Sequence, residues 1–134
     1  MDRLNRRLFV ACQGVMAVVN ADTGKVIATL STGAGTDATR FDPQKGLAFA
    51  SNGRDGTLTI VHEDSPDTYT LIQNAKSEVG ARTMELDPQT GDVFLVTAQM
   101  EPNPSPTSAR DRLRAVAGTF ALLVMSPATA SPPP

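Results

Sequence analysis

Residues that carry metal and redox chemistry are nearly missing from this sequence. Its 134 residues hold one cysteine, Cys12, one histidine, His62, one tyrosine and no tryptophan. A single cysteine excludes an internal disulfide and a cysteine-based zinc cluster, and Cys12 reads as a small buried hydrophobe. One histidine is too few for a histidine-rich metal centre, and no Ser-His-Asp set can be assembled around it. Long apolar runs are missing too: the longest, 8–11 and 120–125, fall far short of the roughly 20 residues of a membrane-spanning helix. No run of Lys or Arg marks a nucleic-acid footprint; 12 basic residues stand against 14 acidic ones, for a net charge of −2. The sequence therefore predicts no catalytic set, no metal, no cofactor, no nucleic-acid partner and no membrane span. The first residues, Met-Asp-Arg-Leu-Asn-Arg-Arg, lack a signal-peptide pattern. That agrees with a cytosolic protein and equally with a targeting segment lying upstream. Helical periodicity is weak, with a turn or two offered only by 108–116.

What remains is an ordinary globular composition, 40% apolar and 19% charged, organised as a repeat. Arg-Leu-Phe-Val-Ala at 7–11, Gly-Leu-Ala-Phe-Ala at 46–50 and Asp-Val-Phe-Leu-Val at 92–96 align at spacings of 39 and 46 residues. Ahead of the second and third sit Arg-Phe-Asp-Pro-Gln-Lys-Gly (40–46) and Glu-Leu-Asp-Pro-Gln-Thr-Gly (85–91), 45 residues apart. Asp-Pro followed by Gly is turn chemistry, since Pro fixes φ and Gly accepts positive φ. Further strands follow at 15–20, 58–63 and 120–125, and fourth strands at 26–30 and 69–73. Ala-Asp-Thr-Gly-Lys (21–25) and Asp55-Gly56 supply hairpin turns between them.

Four short strands per unit of about 40–45 residues is the signature of a β-propeller. Both alternating sets are apolar in 8–11, 15–19 and 120–125. A sheet with one wet face would alternate apolar and polar, as in an open sandwich; a blade packed on both sides would not. A β-helix, the main competitor, has shorter coils without repeated hairpins. The predicted fold is therefore all-β, a propeller arc of about three four-stranded blades and about eleven strands. With strands lettered a to d from the axis outward, 1–31 supplies b, c and d. Residues 36–74 supply a complete blade, and 81–125 supply a, b and c with a long b–c loop at 98–118. A Pro-rich tail, 126–134, reads as disordered. Prolines 102, 104 and 106 likewise suggest disorder or an extended polyproline stretch in the long loop. Such an arc reads as part of a larger propeller, with missing blades or self-association needed to cover its open edges.

The turn and hairpin pieces resemble the YVTN-repeat (YncE-like) β-propellers of bacteria. The matching residues are Phe41-Asp42-Pro43, Leu47 to Ala50, Asp55-Gly56-Thr57-Leu58 and Asn20-Ala21-Asp22-Thr23-Gly24-Lys25-Val26, and 118–124 resembles the family's closing strand. The second unit departs, with His62-Glu63-Asp64-Ser65 where Asp-Thr-Gly is the family's pattern, and no unit carries the full name motif. The resemblance implies a propeller, a C-terminal position within it, and an exported parent, periplasmic or extracellular.

In propellers the d–a and b–c connections share one face, and ligands bind there or in the axial channel. Here that face takes in 13–14, 31–36, 52–57, 74–81 and 98–118. Its candidate ligand-binding residues are Asn52, Arg54 and Asp55 of the second unit and the Arg110, Arg112, Arg114 cluster of the long loop. Against each stands a plainer reading: Asp55-Gly56 as hairpin chemistry, and the arginines as a solvated loop partly offset by Glu101 and Asp111. Gly33-Ala34-Gly35-Thr36 lacks the Lys and the strand-to-helix context of a phosphate loop and reads as a d–a turn. Asp42 and Asp87 read as turn residues before Pro rather than calcium ligands, and His62 as a packed strand histidine. The leading function is a non-catalytic scaffold for an unidentified protein or small-molecule partner. The alternative is a fragment of a lactonase-like or quinoprotein-like propeller enzyme whose site lies mostly on other blades.

Overall fold

The computed structural model describes residues 1–109 and 112–128, and among them every regular element is a strand. Three antiparallel sheets follow one another along the chain. The first joins β1 (Arg7–Cys12), β2 (Val15–Asn20) and β3 (Val26–Ser31) in that order. The second is a four-stranded meander of β4 (Thr36–Asp42), β5 (Leu47–Asn52), β6 (Thr57–Ser65) and β7 (Thr68–Lys76). The third runs β8 (Arg82–Leu86), β9 (Val93–Thr97) and β12 (Ala121–Met125). These are three successive blades of a propeller arc, with β1 against β4 and β4 against β8 near the axis and β3 against β7 at the rim.

The long 98–118 connection is not an extended polyproline stretch. It folds as a separate hairpin of β10 (Met100–Pro102) and β11 (Leu113–Ala115), so the turn or two of helix expected at 108–116 gives way to a strand. Cross-strand pairing explains this: Glu101 stands opposite Arg114, and Asn103 N donates to the Arg112 carbonyl at 2.8 Å. Residues 129–134 of the Pro-rich tail lie outside the described residues.

In each blade the same turn leads into strand b. Asp42 accepts the amides of Gln44 and Lys45, at 2.8 and 3.3 Å, and Asp87 accepts that of Gln89 at 2.8 Å. A third copy, hidden from pattern reading, stands at the start of the chain. Asp2 accepts the amides of Leu4 and Asn5 and forms a β-bridge to Arg7. It lacks both the Pro and the Gly of the other two. The position taken by Gly46 (φ 63°) and Gly91 (φ 79°) is held here by Arg6 at φ 58°, whose guanidinium grips Asp22 of the next hairpin at 2.6 and 3.0 Å.

The turns fix the register, which differs from the sequence alignment by one residue. Phe49 pairs with Arg40 and Phe94 with Glu85, one residue-for-residue turn later, so Phe9, Phe49 and Phe94 are equivalent at spacings of 40 and 45 residues. Side chains alternate with period two, so a slip of one residue exchanges the faces. In the correct register strand b splits cleanly. Phe9, Phe49 and Phe94 point forward to the following blade, while Leu8 and Val10, Ala48 and Ala50, and Val93 and Leu95 point back.

Two cores result. Phe9, Met16 and Val18 of the first blade pack on Ala48, Ala50 and Val61 of the second. Phe49 and Leu58, with Ile60 beside them, pack on Ala81, Met84, Val93 and Leu95 of the third. Phe9 lies between two rings of the second blade, stacked on Phe41 at 4.8 Å and edge-on to Tyr69 at 6.0 Å. Small Ala48 and Ala50 leave room for these rings. Polar contacts add to each seam: Arg7 donates to the Pro66 carbonyl and to Asp67 across the first, and Arg40 makes a two-pronged pair with Glu85 across the second.

The outer blades have one bare face each. Cys12, expected to be buried, is exposed. It shares the rear face of β1 with Leu8 and Val10, and no sheet lies against them. At the other end Leu122 and Val124 are 57% and 53% exposed, where the equivalent Met16 and Val18 are fully buried.

Two outcomes follow. Phe49→Ala should cost about 3–5 kcal/mol in urea unfolding, because it opens a cavity between two blades. Phe94→Ala, at the same register on a bare face, should cost about 1 kcal/mol or less. Equal losses would contradict the forward-facing assignment. The Arg40 guanidinium, helped by the Leu86 amide, holds the Glu85 carboxyl down at about 2. A depressed carboxyl stabilises the fold above its ordinary value of 4.5 and loses that contribution as pH falls towards about 2. Glu85 is largely exposed, so solvent limits the effect to under about 1 kcal/mol. Glu85→Gln should flatten the acid limb of the stability–pH curve by that amount, and an unchanged limb would show the pair to be idle.

Candidate functional site

Four of the five connections assigned to one face by the repeat are joined there edge to edge by backbone hydrogen bonds. Thr32 N donates to Gly14 O, Gly53 N to Gly35 O and Arg54 N to Ala34 O. Ser77 N then donates to Gly56 O at 2.7 Å and Gly80 N to Gly53 O at 2.6 Å. Thr97 Oγ1 carries the chain of contacts on to the Val79 carbonyl. At Gly56, φ is +67° and the backbone of Glu78 and Val79 lies 2.7 Å from where a Cβ would stand, so this approach requires glycine twice over.

At the centre is Asn52, fully buried at the end of β5. Its Nδ2 donates to Thr57 Oγ1 and Thr59 Oγ1 at 3.1 and 2.8 Å, and its Oδ1 accepts from Thr36 Oγ1 at 3.0 Å. Thr59 in turn donates to Asn74 Oδ1 on β7 at 2.6 Å and accepts the Gly33 amide. Asp55 caps the set, taking Thr57 Oγ1 and the Ala34 amide at 2.8 and 2.7 Å. One amide side chain thus ties strands β4, β6 and, through Thr59, β7, and fastens the loop arriving from the first blade. Every polar atom of Asn52 is engaged within the chain, and both carboxylate oxygens of Asp55 hold the turn.

The remaining candidates are dispersed. Arg54 is exposed at the tip of the same hairpin. Arg114 pairs with Glu101 at 2.7 Å across the β10–β11 hairpin, Arg112 is exposed at its mouth, and Arg110 lies outside the described residues. The structure does not bring Arg112 and Arg114 onto the Asn52 network. His62 is not packed in its strand: it is half-exposed, with Nδ1 2.7 Å from Asp64 Oδ1. The Asp64 carboxyl, bonded by Thr70 and His62, titrates below the usual range.

What the face does form is a cleft of about 450 Å³ between the second and third blades. One wall is Asp55 and Gly56 with the 76–79 segment; the other is Gln99, Met100 and Leu113. Lys76 and Glu78 give this lining its charge, and Val79, Met100 and Leu113 its apolar surface. Ser77, on the wall, has a buried Oγ without a hydrogen-bond partner; Asp42 Oδ2 is the other such atom among the described residues. Sequence reading placed 74–81 and 98–118 on this face, but of the residues lining the cleft it named only Asp55 as a ligand-binding candidate. Met100 and Leu113 come together only because the insertion folds as a hairpin. Neither the search against models of known protein families nor the comparison with curated proteins finds a match to this chain.

Removing the Asn52 amide should act on stability. Asn52→Ala removes the one side chain shared by Thr36, Thr57 and Thr59 and should cost about 1–3 kcal/mol in chemical denaturation. Arg54→Ala, two residues on and solvent-facing, should stay within about 0.5 kcal/mol of the parent. A stable Asn52→Ala protein would remove the network from the account of this face.

Proposed function

We propose that this chain is a non-catalytic section of a larger β-propeller, of the YVTN-repeat (YncE-like) kind, acting as a binding or interaction scaffold. The observation that carries the reading is positional. Residues at identical register, Met16, Leu58 and Leu122, are 0%, 1% and 57% exposed, and on the rear face Leu8, Ala48 and Val93 are 36%, 0% and 1% exposed. Side chains that seal the two inner seams are therefore bare at both ends of the arc, as they are in a ring cut at two places. Exposed apolar faces of this extent mark surfaces meant to be covered. The loop face supports the scaffold half of the reading: strands hold a tied set of loops beside a cleft lined by both charged and apolar side chains, as ligand sites are.

The test is the state of the end faces. The purified chain should bind an apolar dye such as ANS and scatter light as a polydisperse population. Leu122→Lys with Val124→Lys, on the bare face of β12, should lower dye binding several-fold while leaving the far-ultraviolet circular dichroism unchanged. A monodisperse parent chain that binds no dye would contradict the reading.

A further inference from the structure

The loop-face cleft of about 450 Å³ between the second and third blades holds side chains that the fold itself does not use. Lys76 ends β7 and Glu78 follows two residues later. Both are exposed, both line the cleft, and neither makes an ion pair with a described residue. Between them Ser77 has a buried Oγ with no hydrogen-bond partner among the described residues. The other charged residue of the lining, Asp55, is already committed: its carboxylate accepts from Thr57 Oγ1 and the Ala34 amide. Apolar surface lies in the same cleft, where Val79 and Leu113 remain 51% and 46% exposed. Met100 is seated on Gly80, its Cγ 3.1 Å from where a Cβ would stand, and Thr97 Oγ1 of the third blade donates to the Val79 carbonyl. Contacts between the two blades therefore hold the apolar part of the lining in place.

We infer that this cleft binds a free α-amino acid with an apolar side chain. Lys76 receives the α-carboxylate, Glu78 the α-ammonium, and Val79, Met100 and Leu113 the side chain. The pairing of charges defines the class. A simple anion drawn to Lys76 meets Glu78, and a simple cation drawn to Glu78 meets Lys76, so like-charge repulsion offsets each attraction. A zwitterion satisfies both. Two residues apart along the chain, the Lys and Glu side chains are long enough to converge on charges carried by a single Cα. An apolar body on that Cα then covers the half-exposed Val79 and Leu113, which removes apolar surface from water. Ser77 adds a hydroxyl that nothing in the chain engages, and a buried polar group left without a partner is uncommon. The volume stands at the lower end of the roughly 300–1,000 Å³ of small-molecule sites, which suits a ligand of this size.

The inference deepens the scaffold reading and rests on it, but its test is separable, because dye binding reports the end faces of the arc and not this cleft. L-leucine is titrated into the full chain and followed by amide chemical shifts. Saturable shifts should appear at 76–79, Met100 and Leu113, with a dissociation constant on the order of 1 mM. N-acetyl-L-leucine lacks the ammonium and L-leucinamide the carboxylate; each should bind about tenfold more weakly, the loss of one charge-assisted hydrogen bond. Glu78→Gln should remove the preference for leucine over N-acetyl-leucine, and Lys76→Gln the preference over leucinamide. Both side chains are exposed, so the urea midpoint should not move. Ser77→Ala should also keep the midpoint, having no hydrogen bond to lose, while weakening leucine severalfold. Equal binding of the three ligands, shifts that map elsewhere, or variants that leave the ranking unchanged would overturn the inference. Preferred binding of N-acetyl-leucine would assign the cleft to a peptide C-terminus and overturn it as well. So would the absence of saturation up to about 50 mM, far above the expected constant. If that chain still binds the dye, the propeller reading stands without the amino-acid site.

Discussion

The arc depends on one strand being buried on both sides. In β5 consecutive side chains serve different cores: Ala48 and Ala50 close on the first blade, and Phe49 closes on the third. That is possible only because a strand alternates with period two and a sheet lies against each of its faces. Large residues on one side are matched by small ones on the other. Phe9 with its two rings fits over two alanines, and Phe49 over Val93 and Leu95. Hydrophobic burial here is a relation between blades rather than within one, so a blade is stable to the extent that its neighbours are present.

The loop face is the polar counterpart of the same arrangement. Blades that meet only through apolar faces can slide. The Asn52 network, the Gly53–Gly35 and Gly80–Gly53 hydrogen bonds and the Arg40–Glu85 pair give each seam a fixed register. Rigid loops are also what a binding face requires. The cleft beside Asp55 and Met100 inherits its shape from these ties, and the β10–β11 hairpin gives it a wall that neither other blade possesses.

Much of this was legible beforehand, for physical reasons. Gly46 and Gly91 advertise their turns because positive φ selects glycine, and Asp-Pro before them selects the turn type. The first copy escaped notice because Arg6 adopts the same backbone without glycine, held by Asp22 instead. Strand positions are legible in the sequence, yet the apolar strings of strand b align there one residue away from their structural equivalence. That slip costs nothing in strand placement and reverses every facing. Cys12 was misjudged for a related reason: burial of a half-apolar strand depends on which neighbour covers it, and that lies outside the local sequence. Asn52, Arg54 and Asp55 stand out in the sequence as ligand-binding candidates, but only the structure shows the atoms of Asn52 and Asp55 engaged by Thr36, Thr57 and Thr59. The cleft residues Met100 and Leu113 were out of reach, since they meet through a hairpin that three prolines had argued against.

The claim that stability resides between blades is most directly tested by native-state hydrogen exchange across the whole chain. The account predicts the slowest amides in β5 and β6, covered on both faces. Intermediate protection is predicted in β2 and β9, covered on one face, and the fastest strand exchange in β3, β7 and β12 at the rim. Equal protection in all three blades, or a first or third blade more protected than the second, would contradict it.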